Sequence, residues 1–330
     1  MHFPLHKSTK IVYNVYNCTY EVKAMSKVKH LFIINPAAGK KSSAESLSCE
    51  IRAYFEAHPD AEYEIKLTEK KGDATVFVRE AASYDGEVRV YACGGDGTFN
   101  EAVNGGVGLD NVALCPIPVG SGNDFIRTFD DIPKEKFLDV ASCVTGTTVP
   151  CDVMRVGDVY GVNLISVGLD AVTCKRQKGM KRIPFISGGA AYKLALGTAF
   201  ITSMKSKISF ETEDGPFDAG DERVVLGVVG NGRWYGGGFK ATPYADISDG
   251  LMDLVTVKRV SRITFLRYVG IYKRGEHIEA MPYARYTRCK KLRVKADGPI
   301  PMQIDGEAFE IKDPEIELIP TAIKLILPKI

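Results

Sequence analysis

The stretch VRVYACGGDGTFNEAVNG, residues 88–105, joins a largely apolar strand to a helix through a glycine-rich turn. Residues 88–93 form a short apolar run bounded by glycine, which predicts a buried strand. Residues 94–98 then break the strand and open a helix that continues toward Val103. Glycine turns at a helix start expose backbone N–H groups beside the positive end of the helix, and both features bind phosphate. The stretch therefore predicts a strand, a phosphate-binding turn and a helix, in that order.

The same alternation of strands and helices continues on either side of this stretch. Strands are predicted at 31–34, 63–67 and 112–117, with helices after residue 40 and from Asp73. Such an alternation builds a doubly wound α/β domain with a parallel sheet. A ligand of this fold is expected at the carboxyl ends of the strands. Three loops fall there, at 35–40, 94–98 and 118–124.

After about residue 150 the pattern changes to short β-like runs separated by Gly, Pro and Asp. Residues 153–156 and 159–167 are predicted to pair across the turn Gly157-Asp158, and a helix is predicted at 190–204. Further strands are predicted at 207–211, 223–229, 251–257, 291–295, 302–304, 316–319 and 323–327. This half is expected to form a larger antiparallel β-sandwich. We divide the chain into a tail at 1–27, whose order the sequence leaves open, an α/β domain at 28–150 and a sandwich domain at 151–315.

Composition and charge narrow the class of protein. The 330 residues carry 43 Lys and Arg against 41 Asp and Glu, a net charge of +2, and 45% of the residues are hydrophobic. These proportions are those of a globular protein, and they argue against a disordered chain and against a nucleic-acid partner. No apolar run reaches the roughly 18 residues of a membrane span. The eight cysteines form no CxxC pair, and we expect a cytoplasmic protein with reduced thiols.

The sequence motifs in the loops argue against some classes of nucleotide-binding protein and favour others. The chain has no GxxxxGK[ST] motif and no HRD or DFG element, which argues against P-loop enzymes and protein kinases. A dinucleotide fingerprint would need a third glycine where Asn100 stands, so hydride transfer is disfavoured. Asp96 and Asp124 stand among the glycines, and carboxylates suit magnesium-bound phosphates. A nucleotide phosphate site is favoured over three purely structural turns.

Three motifs carry a specific resemblance to a known family. They read NPAAG at 35–39, GGDGTFNEAVNG at 94–105 and GSGNDFIR at 120–127. In this order they resemble the motifs of the diacylglycerol kinase catalytic-domain family, nearest to its soluble bacterial lipid kinases. GGDGT alone is shared with NAD kinases and phosphofructokinases, whereas GSGNDFIR is more discriminating. The resemblance continues through motifs such as GNGRWYGGG at 230–238 and QIDGE at 303–307, and it covers residues 28–330.

The resemblance implies an ATP-binding first domain that uses Mg²⁺, a second domain that shapes a lipid site, and a last strand near 316–330 that returns to the first domain. Asp96 is implied as the central carboxylate for nucleotide and magnesium, Asp124 as a cleft acid and Glu307 as the general base. The implied nucleotide contacts are Asn35, Pro36, Gly39, Lys40, Thr68, Gly94, Gly95, Asp96, Gly97, Thr98, Glu101, Gly120, Ser121, Gly122 and Asn123. The implied structural magnesium ligands are Asp249, the backbone of Leu251, Asp246 and, through water, Asp152.

Two positions depart from the pattern of the family. Ala38 stands where relatives often have Ser, so one hydroxyl contact is lost. Asp73 stands where many relatives have His in a Gly-His-Ala corner, which puts a nucleotide contact at that corner in doubt. Neither departure removes an implied catalytic carboxylate.

Two basic stretches indicate contact with an anionic membrane. Residues 175–182 carry a charge of +5 with no acidic residue, and residues 258–295 carry twelve Lys and Arg against two Glu. A solvated basic face is the simpler interpretation, but anionic lipids attract such residues by about 1 kcal/mol each. That attraction suits an enzyme whose acceptor resides in a bilayer. We expect a peripheral protein at the inner face of the membrane, and the sequence leaves a homodimer open.

The favoured function is an ATP-dependent lipid kinase that converts diacylglycerol to phosphatidic acid. Within enzymes, the alternative is a kinase for a soluble acceptor such as NAD, which GGDGT alone supports. From a different class, the alternative is a catalytically silent regulator that binds lipid or nucleotide. GSGNDFIR argues against the first alternative, and the retention of Asp96, Asp124 and Glu307 argues against the second.

Overall fold

The computed structural model describes residues 14–15, 18–19, 27–39, 43–168, 171, 208–217, 224–258, 260–296 and 298–330. Several features singled out in the sequence lie outside the described residues: Lys40, the basic stretch 175–182, the helix predicted at 190–204 and most of the tail at 1–27. Within the described part of the chain, no helix is both long enough and apolar enough to cross a membrane.

The first half forms a parallel sheet with helices. Its elements are β1 (Asn14–Val15), β2 (Cys18–Thr19), β3 (Val28–Ile34), α1 (Ser43–Glu56), β4 (Glu62–Leu67), α2 (Asp73–Ala81), β5 (Glu87–Gly94), α3 (Asp96–Gly106), β6 (Val112–Pro118), a 3-10 turn (Phe125–Thr128), α4 (Lys134–Leu138) and α5 (Val140–Val144). Strands β3 to β6 pair in parallel in the order β4-β3-β5-β6. The predicted doubly wound α/β fold is confirmed.

Helices cover both faces of this sheet, which explains its apolar strands. In β3, Leu31 and Ile33 pack with α2 and α3, whereas Phe32 and Ile34 pack with α1 and α5. Successive side chains of a strand point to opposite faces. A strand covered on both faces therefore needs apolar residues at consecutive positions. All seven residues of β6 are buried for the same reason.

The second half is a β-sandwich. Its elements are β7 (Thr147–Val156), β8 (Val159–Gly161), β9 (Leu164–Gly168), β10 (Ile208–Thr212), β11 (Gly215–Phe217), β12 (Val224–Gly230), β13 (Trp234–Tyr235), β14 (Phe239–Lys240), β15 (Met252–Lys258), α6 (Arg262–Arg274), α7 (His277–Ala280), β16 (Ala284–Cys289), β17 (Lys291–Ala296), β18 (Ile300–Ile304), β19 (Glu307–Ile311) and β20 (Glu315–Leu327). Six strands form an antiparallel sheet in the order β16-β15-β12-β9-β18-β19. This sheet shares a core with β7, β10, β17 and β20, to which Met154, Ile165, Val294 and Met302 contribute. The predicted antiparallel sandwich is confirmed.

The last strand joins the two halves. β20 pairs in parallel with β6 and antiparallel with β7 and β17, so both halves share one ten-stranded sheet. The register of β20 against β7 shifts between Ile319 and Ile323, and Thr321 there has a φ of +50°. The two strands predicted at 316–319 and 323–327 are therefore a single bulged strand.

Other strand predictions also need correction. The strand predicted at 159–167 is two strands, because β8 pairs with β7 whereas β9 enters the six-stranded sheet. Residue 150, where the division between domains was placed, lies within the continuous strand β7, and the division itself stays a prediction. The sequence patterns do not predict α6, β16 or β19. In α6, Ile263 and Leu266 are exposed, so its apolar residues do not mark a single buried face.

Candidate active site

Three loops meet at the carboxyl ends of β3, β5 and β6. The Asn35 side chain donates from Nδ2 to Thr98 Oγ1 at 3.0 Å, which joins the first loop to the first turn of α3. The Gly120 N–H donates to the Gly94 carbonyl oxygen at 3.0 Å, which joins the second loop to the third. The predicted phosphate-binding loops therefore form one continuous surface, as expected for the ligand edge of a parallel sheet.

Close packing between the loops explains their glycines. A Cβ on Gly94 would overlap the Thr98 side chain, and a Cβ on Gly120 would lie 2.5 Å from the Gly95 Cα. A Cβ on Gly122 would lie 2.5 Å from Asp96 Oδ2. These distances are too short for any side chain, so the glycines permit the approach of one loop to the next.

Asp96 lies at the start of α3 and between two of the loops. Its Oδ1 accepts the Asp124 N–H at 2.8 Å. Burial raises the pKa of the Asp96 carboxyl, and backbone N–H groups of Phe125, Asp124 and Asn123 oppose that rise. The carboxylate thus holds the third loop against the helix start, where an incoming anion would meet the helix N–H groups.

Asp124 is the more deeply buried of the two loop carboxylates, with 6% of its surface exposed. Its Oδ2 accepts the N–H of Gly237, a residue of the second half, at 2.8 Å. Its Oδ1 accepts no hydrogen bond and faces Arg127 Nε at 3.4 Å. Burial raises the pKa of Asp124 to about 6, and the neighbouring Asp96 charge adds to the rise. The site therefore contains a buried carboxylate oxygen that accepts no hydrogen bond and has the Arg127 guanidinium as its ion-pair partner.

Glu307 follows a tight turn between β18 and β19. Asp305 and Gly306 both have positive φ, 46° and 85°, which is typical of the type I′ hairpin turn. Glu307 Oε2 lies 2.7 Å from Lys71 Nζ in the corner before α2. The hairpin of the second half and a loop of the first half therefore meet at the residue predicted to be the general base.

Asp305 anchors this turn to the helix that begins with Asp96. Its carboxylate accepts the side-chain amide of Asn100 at 2.9 Å and three consecutive backbone N–H groups, those of residues 162, 163 and 164. Asn100 lies one turn after Asp96 on α3. Burial raises the pKa of Asp305 to about 6, and the four donors oppose that rise. Asp96 and Glu307 are thus tied together through Asn100 and Asp305.

The remaining predicted nucleotide contacts surround these residues. The Thr68 N–H donates to the Ile34 carbonyl oxygen at 2.9 Å, which brings Thr68 beside the first loop. Asn123 has a φ of 55°, and its side chain donates to carbonyl oxygens of its own loop. Glu101 lies on α3 and accepts the Thr75 hydroxyl through its carbonyl oxygen. Pro36, Gly39, Ser121 and Gly97 lie in the loops or the first turn of α3.

Asp73, which stands where the resemblance implies a histidine, has a structural role. Its Oδ2 accepts the N–H groups of Glu69 and Lys70 at 2.8 and 2.9 Å, and these hydrogen bonds lower the pKa of its carboxyl. The aspartate therefore shapes the turn that presents Lys71, and its carboxylate is directed at the backbone.

The residues predicted to bind a structural magnesium ion are engaged with protein groups. Both carboxylate oxygens of Asp152 accept backbone N–H groups, from Gly250 and Thr321. Asp249 contacts Arg288 and accepts the Leu251 N–H, while Asp246 accepts from Ser248. Among the described residues, no three His, Cys, Asp or Glu side chains form a group that could hold a metal ion. The carboxylates of Asp152, Asp246 and Asp249 therefore accept hydrogen bonds from protein groups in this structure, and the structural magnesium site stays a prediction.

Four residues of the site were not singled out from the sequence: Lys71, Asn100, Asp305 and Gly237. Asn100 and Asp305 stand inside quoted motifs, but their mutual hydrogen bond spans 205 positions. Lys71 and Glu307 are 236 positions apart. One usable signal was Asp-Gly before Glu307, since this dipeptide favours a tight hairpin turn.

Comparison with known proteins identifies similar chains over most of the length of this one. Residues 29–156 match the family described as "Diacylglycerol kinase catalytic domain", and residues 163–327 match "YegS C-terminal NAD kinase beta sandwich-like domain". A protein named "Diacylglycerol kinase" from Bacillus subtilis (strain 168) is 31% identical over 301 residues, which cover 90% of this chain and 95% of that protein. A "Probable lipid kinase YegS-like" from Alcanivorax borkumensis is 29% identical over 272 residues, with coverage of 81% and 88%. A crystal structure of a diacylglycerol kinase from Bacillus anthracis str. Sterne shares the fold, with a TM-score of 0.66 and 22% identity over 92% of this chain and 98% of that one.

Proposed function

Because the chain belongs to the diacylglycerol kinase catalytic-domain family and carries the YegS-type second domain, we propose that it transfers the γ-phosphate of ATP to the hydroxyl of a membrane lipid. Diacylglycerol is the proposed acceptor and phosphatidic acid the product. One observation carries the proposal: the three glycine loops and the two loop carboxylates are joined by hydrogen bonds, and the Glu307 turn is tied to the same helix, α3, through Asp305 and Asn100.

Each part of this site supplies one requirement of phosphoryl transfer. The loop N–H groups and the α3 start hold the phosphates and orient the γ-phosphorus for in-line attack. The acceptor oxygen forms a bond to the γ-phosphorus while the bond to the β–γ bridging oxygen breaks, and ADP leaves. Glu307 accepts the hydroxyl proton, a contribution worth roughly 10² to 10⁴ in rate.

The loop carboxylates suit the magnesium ion that accompanies ATP. Asp124 Oδ1 is buried, accepts no hydrogen bond and has the Arg127 guanidinium as its ion-pair partner, and Asp96 accepts the Asp124 N–H. Hard cations take such carboxylate oxygens as ligands, so Asp96 and Asp124 are the residues that would hold this ion. When bound, magnesium neutralises charge on the phosphates.

A kinase for a soluble acceptor is the second candidate, because the second domain matches a sandwich described as NAD kinase-like. The two candidates differ only in the acceptor. A protein that binds lipid or nucleotide without catalysis would lack turnover altogether.

One assay separates these functions. The protein is incubated with radiolabelled ATP and magnesium, and diacylglycerol, phosphatidylglycerol, a sphingoid base, a polyprenol or NAD is offered in turn, followed by phase extraction. Label in the organic phase with diacylglycerol supports the proposal. Label only in aqueous product with NAD would transfer the assignment to the second candidate, and absence of labelled product with every acceptor would refute both. The variant Glu310→Gln, at an exposed position of the same strand, is the matched control for Glu307→Gln.

A further inference from the structure

Helix α6 presents an outward face that combines apolar and basic side chains. Ile263 and Leu266 are 82% and 65% exposed, and Arg267 and Lys273 are also exposed. The spacings of three, four and seven positions among them place these residues on one side of the helix. We call Ile263, Leu266, Arg267 and Lys273 the α6 face.

The opposite side of α6 fixes this orientation. Phe265, Tyr268, Ile271 and Tyr272 pack into a core cluster, and the Tyr272 ring lies 6.3 Å from the Phe239 ring. Both ends of the helix are capped. The Ser261 side chain accepts the Thr264 N–H, and Gly275 has the left-handed φ of 82° typical of a helix end. Ile263 and Leu266 therefore stay exposed because the other aromatic and apolar side chains occupy the core.

All the charged side chains of helix α6 are basic. Its thirteen residues include four Lys or Arg and no Asp or Glu. Of these, Arg274 is paired with Glu276 beyond the helix end. The surrounding stretch 258–295 is strongly basic as well. Exposed Ile and Leu beside Arg and Lys form the pattern of a helix that lies in a membrane interface and attracts anionic lipid.

A short connection links the α6 face to the active site. Gly237 donates to Asp124 at 2.8 Å, and Phe239, two residues later, packs against α6. Lys273 Nζ lies 5.9 Å from the centre of the Phe239 ring. A bilayer that contacts the α6 face would therefore lie one helix width from Phe239, which belongs to the segment that contacts Asp124.

The geometry points to the α6 face as the surface that docks the protein on an anionic bilayer. Ile263 and Leu266 enter the boundary between head groups and acyl chains, and Arg267 and Lys273 contact the anionic head groups. The inference rests on the proposed function for its biological purpose. The binding step itself needs neither ATP nor a phosphorylated product.

Vesicle binding tests this surface directly. The full chain is sedimented with phosphatidylcholine vesicles, with and without phosphatidylglycerol, in the absence of ATP and diacylglycerol. We expect binding to the anionic vesicles that weakens as salt is raised. The double variant Ile263→Ser/Leu266→Ser should bind at least about tenfold more weakly, because two inserted apolar side chains are removed. Arg267→Glu should weaken binding about tenfold through lost attraction and new repulsion.

Two control variants match these changes elsewhere on the surface. Ile330→Ser removes another exposed apolar side chain, which is 74% exposed. Arg52→Glu makes the same charge change on an exposed position of α1. Both should bind vesicles like the wild type. All the positions changed are exposed, and thermal unfolding checks that each variant is folded.

The outcomes separate this inference from the proposed function. Wild-type binding by the α6 variants, absence of vesicle binding by the wild type, or self-association that these substitutions abolish would each overturn the α6 assignment. If binding follows the expected order but no lipid is phosphorylated, the docking surface stands and the kinase proposal fails. If the α6 variants phosphorylate detergent-dispersed diacylglycerol normally but lose activity on vesicles, the docking surface and the kinase proposal are both supported.

Discussion

Lys71 Nζ lies 2.7 Å from Glu307 Oε2, and this ion pair connects the corner before α2 to the β18–β19 hairpin. Lys71 is 71% exposed at its side chain, whereas Glu307 is 31% exposed. An ion pair this open to solvent contributes no more than about 1 kcal/mol. The ion pair therefore orients the Glu307 carboxylate and has little effect on the stability of the fold.

Lys71→Gln tests that orienting role. We expect kcat to fall about fivefold, the factor that corresponds to the upper value of an exposed pair, while KM for ATP and the melting temperature stay unchanged. Lys71→Arg should restore most of the turnover, because it keeps the cation. Lys70→Gln, the neighbouring exposed lysine, is the control. A Lys71→Gln enzyme with wild-type kcat would contradict the role.

Glu307→Gln tests the general base. The amide keeps the size of the side chain but cannot accept the hydroxyl proton, so turnover should fall at least about a hundredfold. ATP binding should persist, because the glycine loops belong to other elements. Steady-state kinetics together with nucleotide binding measured by calorimetry check both parts. Near wild-type turnover in Glu307→Gln, with the Glu310→Gln control also active, would rule out the base role.

Gly122→Ala tests the packing between the loops. The added Cβ would lie 2.5 Å from Asp96 Oδ2, so the carboxylate has to move, and Asp96 also accepts the Asp124 N–H. We expect ATP affinity and turnover both to fall at least about tenfold, since small displacements of positioning groups are costly. Gly298→Ala is the control, because nothing lies within 4 Å of its Cβ and its φ is ordinary. Equal kinetics for both variants would show that the loop tolerates the shift.

Asp305→Asn tests the anchor of the Glu307 turn. In the wild type each carboxylate oxygen accepts two N–H groups. An asparagine NH₂ would face two of these donors, and leaving them unsatisfied costs about 2 kcal/mol each. This combined loss exceeds the roughly 3 kcal/mol that removal of the buried charge returns above the Asp305 pKa of about 6. Denaturant unfolding should show this loss. Asp313→Asn is a close control, because Asp313 has a φ of 47°, similar to the 46° of Asp305, but is exposed. Similar stability of the two variants would contradict the anchoring role.

Local patterns in the sequence predict the first half of the fold, but long-range pairs determine much of the site. β3 and β6 can be identified because strands covered on both faces need consecutive apolar residues. The loops can be identified because glycine turns before helices are local chemistry. The Lys71–Glu307 pair and the Asp305 anchor depend on the packing of the two halves, which no nearby residue signals. Helix α6 is not predicted from the sequence because Ile263 and Leu266 are apolar but exposed, so its apolar residues do not lie on one face with the helical period.

Asp124→Asn should separate stability from activity. The pKa of Asp124 is raised from 3.8 to about 6 by burial, so the folded protein holds this proton more tightly than the unfolded chain does. Ionisation of Asp124 therefore costs stability. The cost is absent below about pH 4, grows as pH rises through about 6 and is complete above it, where it amounts to about 3 kcal/mol at most.

Asparagine at this position removes that cost, because its side-chain oxygen can still accept the Gly237 N–H. The ion pair with the half-exposed Arg127 side chain is lost as well, but such a pair contributes no more than about 1 kcal/mol. We expect Asp124→Asn without nucleotide to unfold at higher denaturant concentration than the wild type at pH 8 and at the same concentration near pH 4, while its turnover is lost. Asp131→Asn, at an exposed position, should change neither stability nor turnover. A stability difference between wild type and Asp124→Asn that does not vary with pH would contradict the assignment of this proton to Asp124. The turnover of Asp124→Asn tests the catalytic role of the carboxylate independently of this pH dependence.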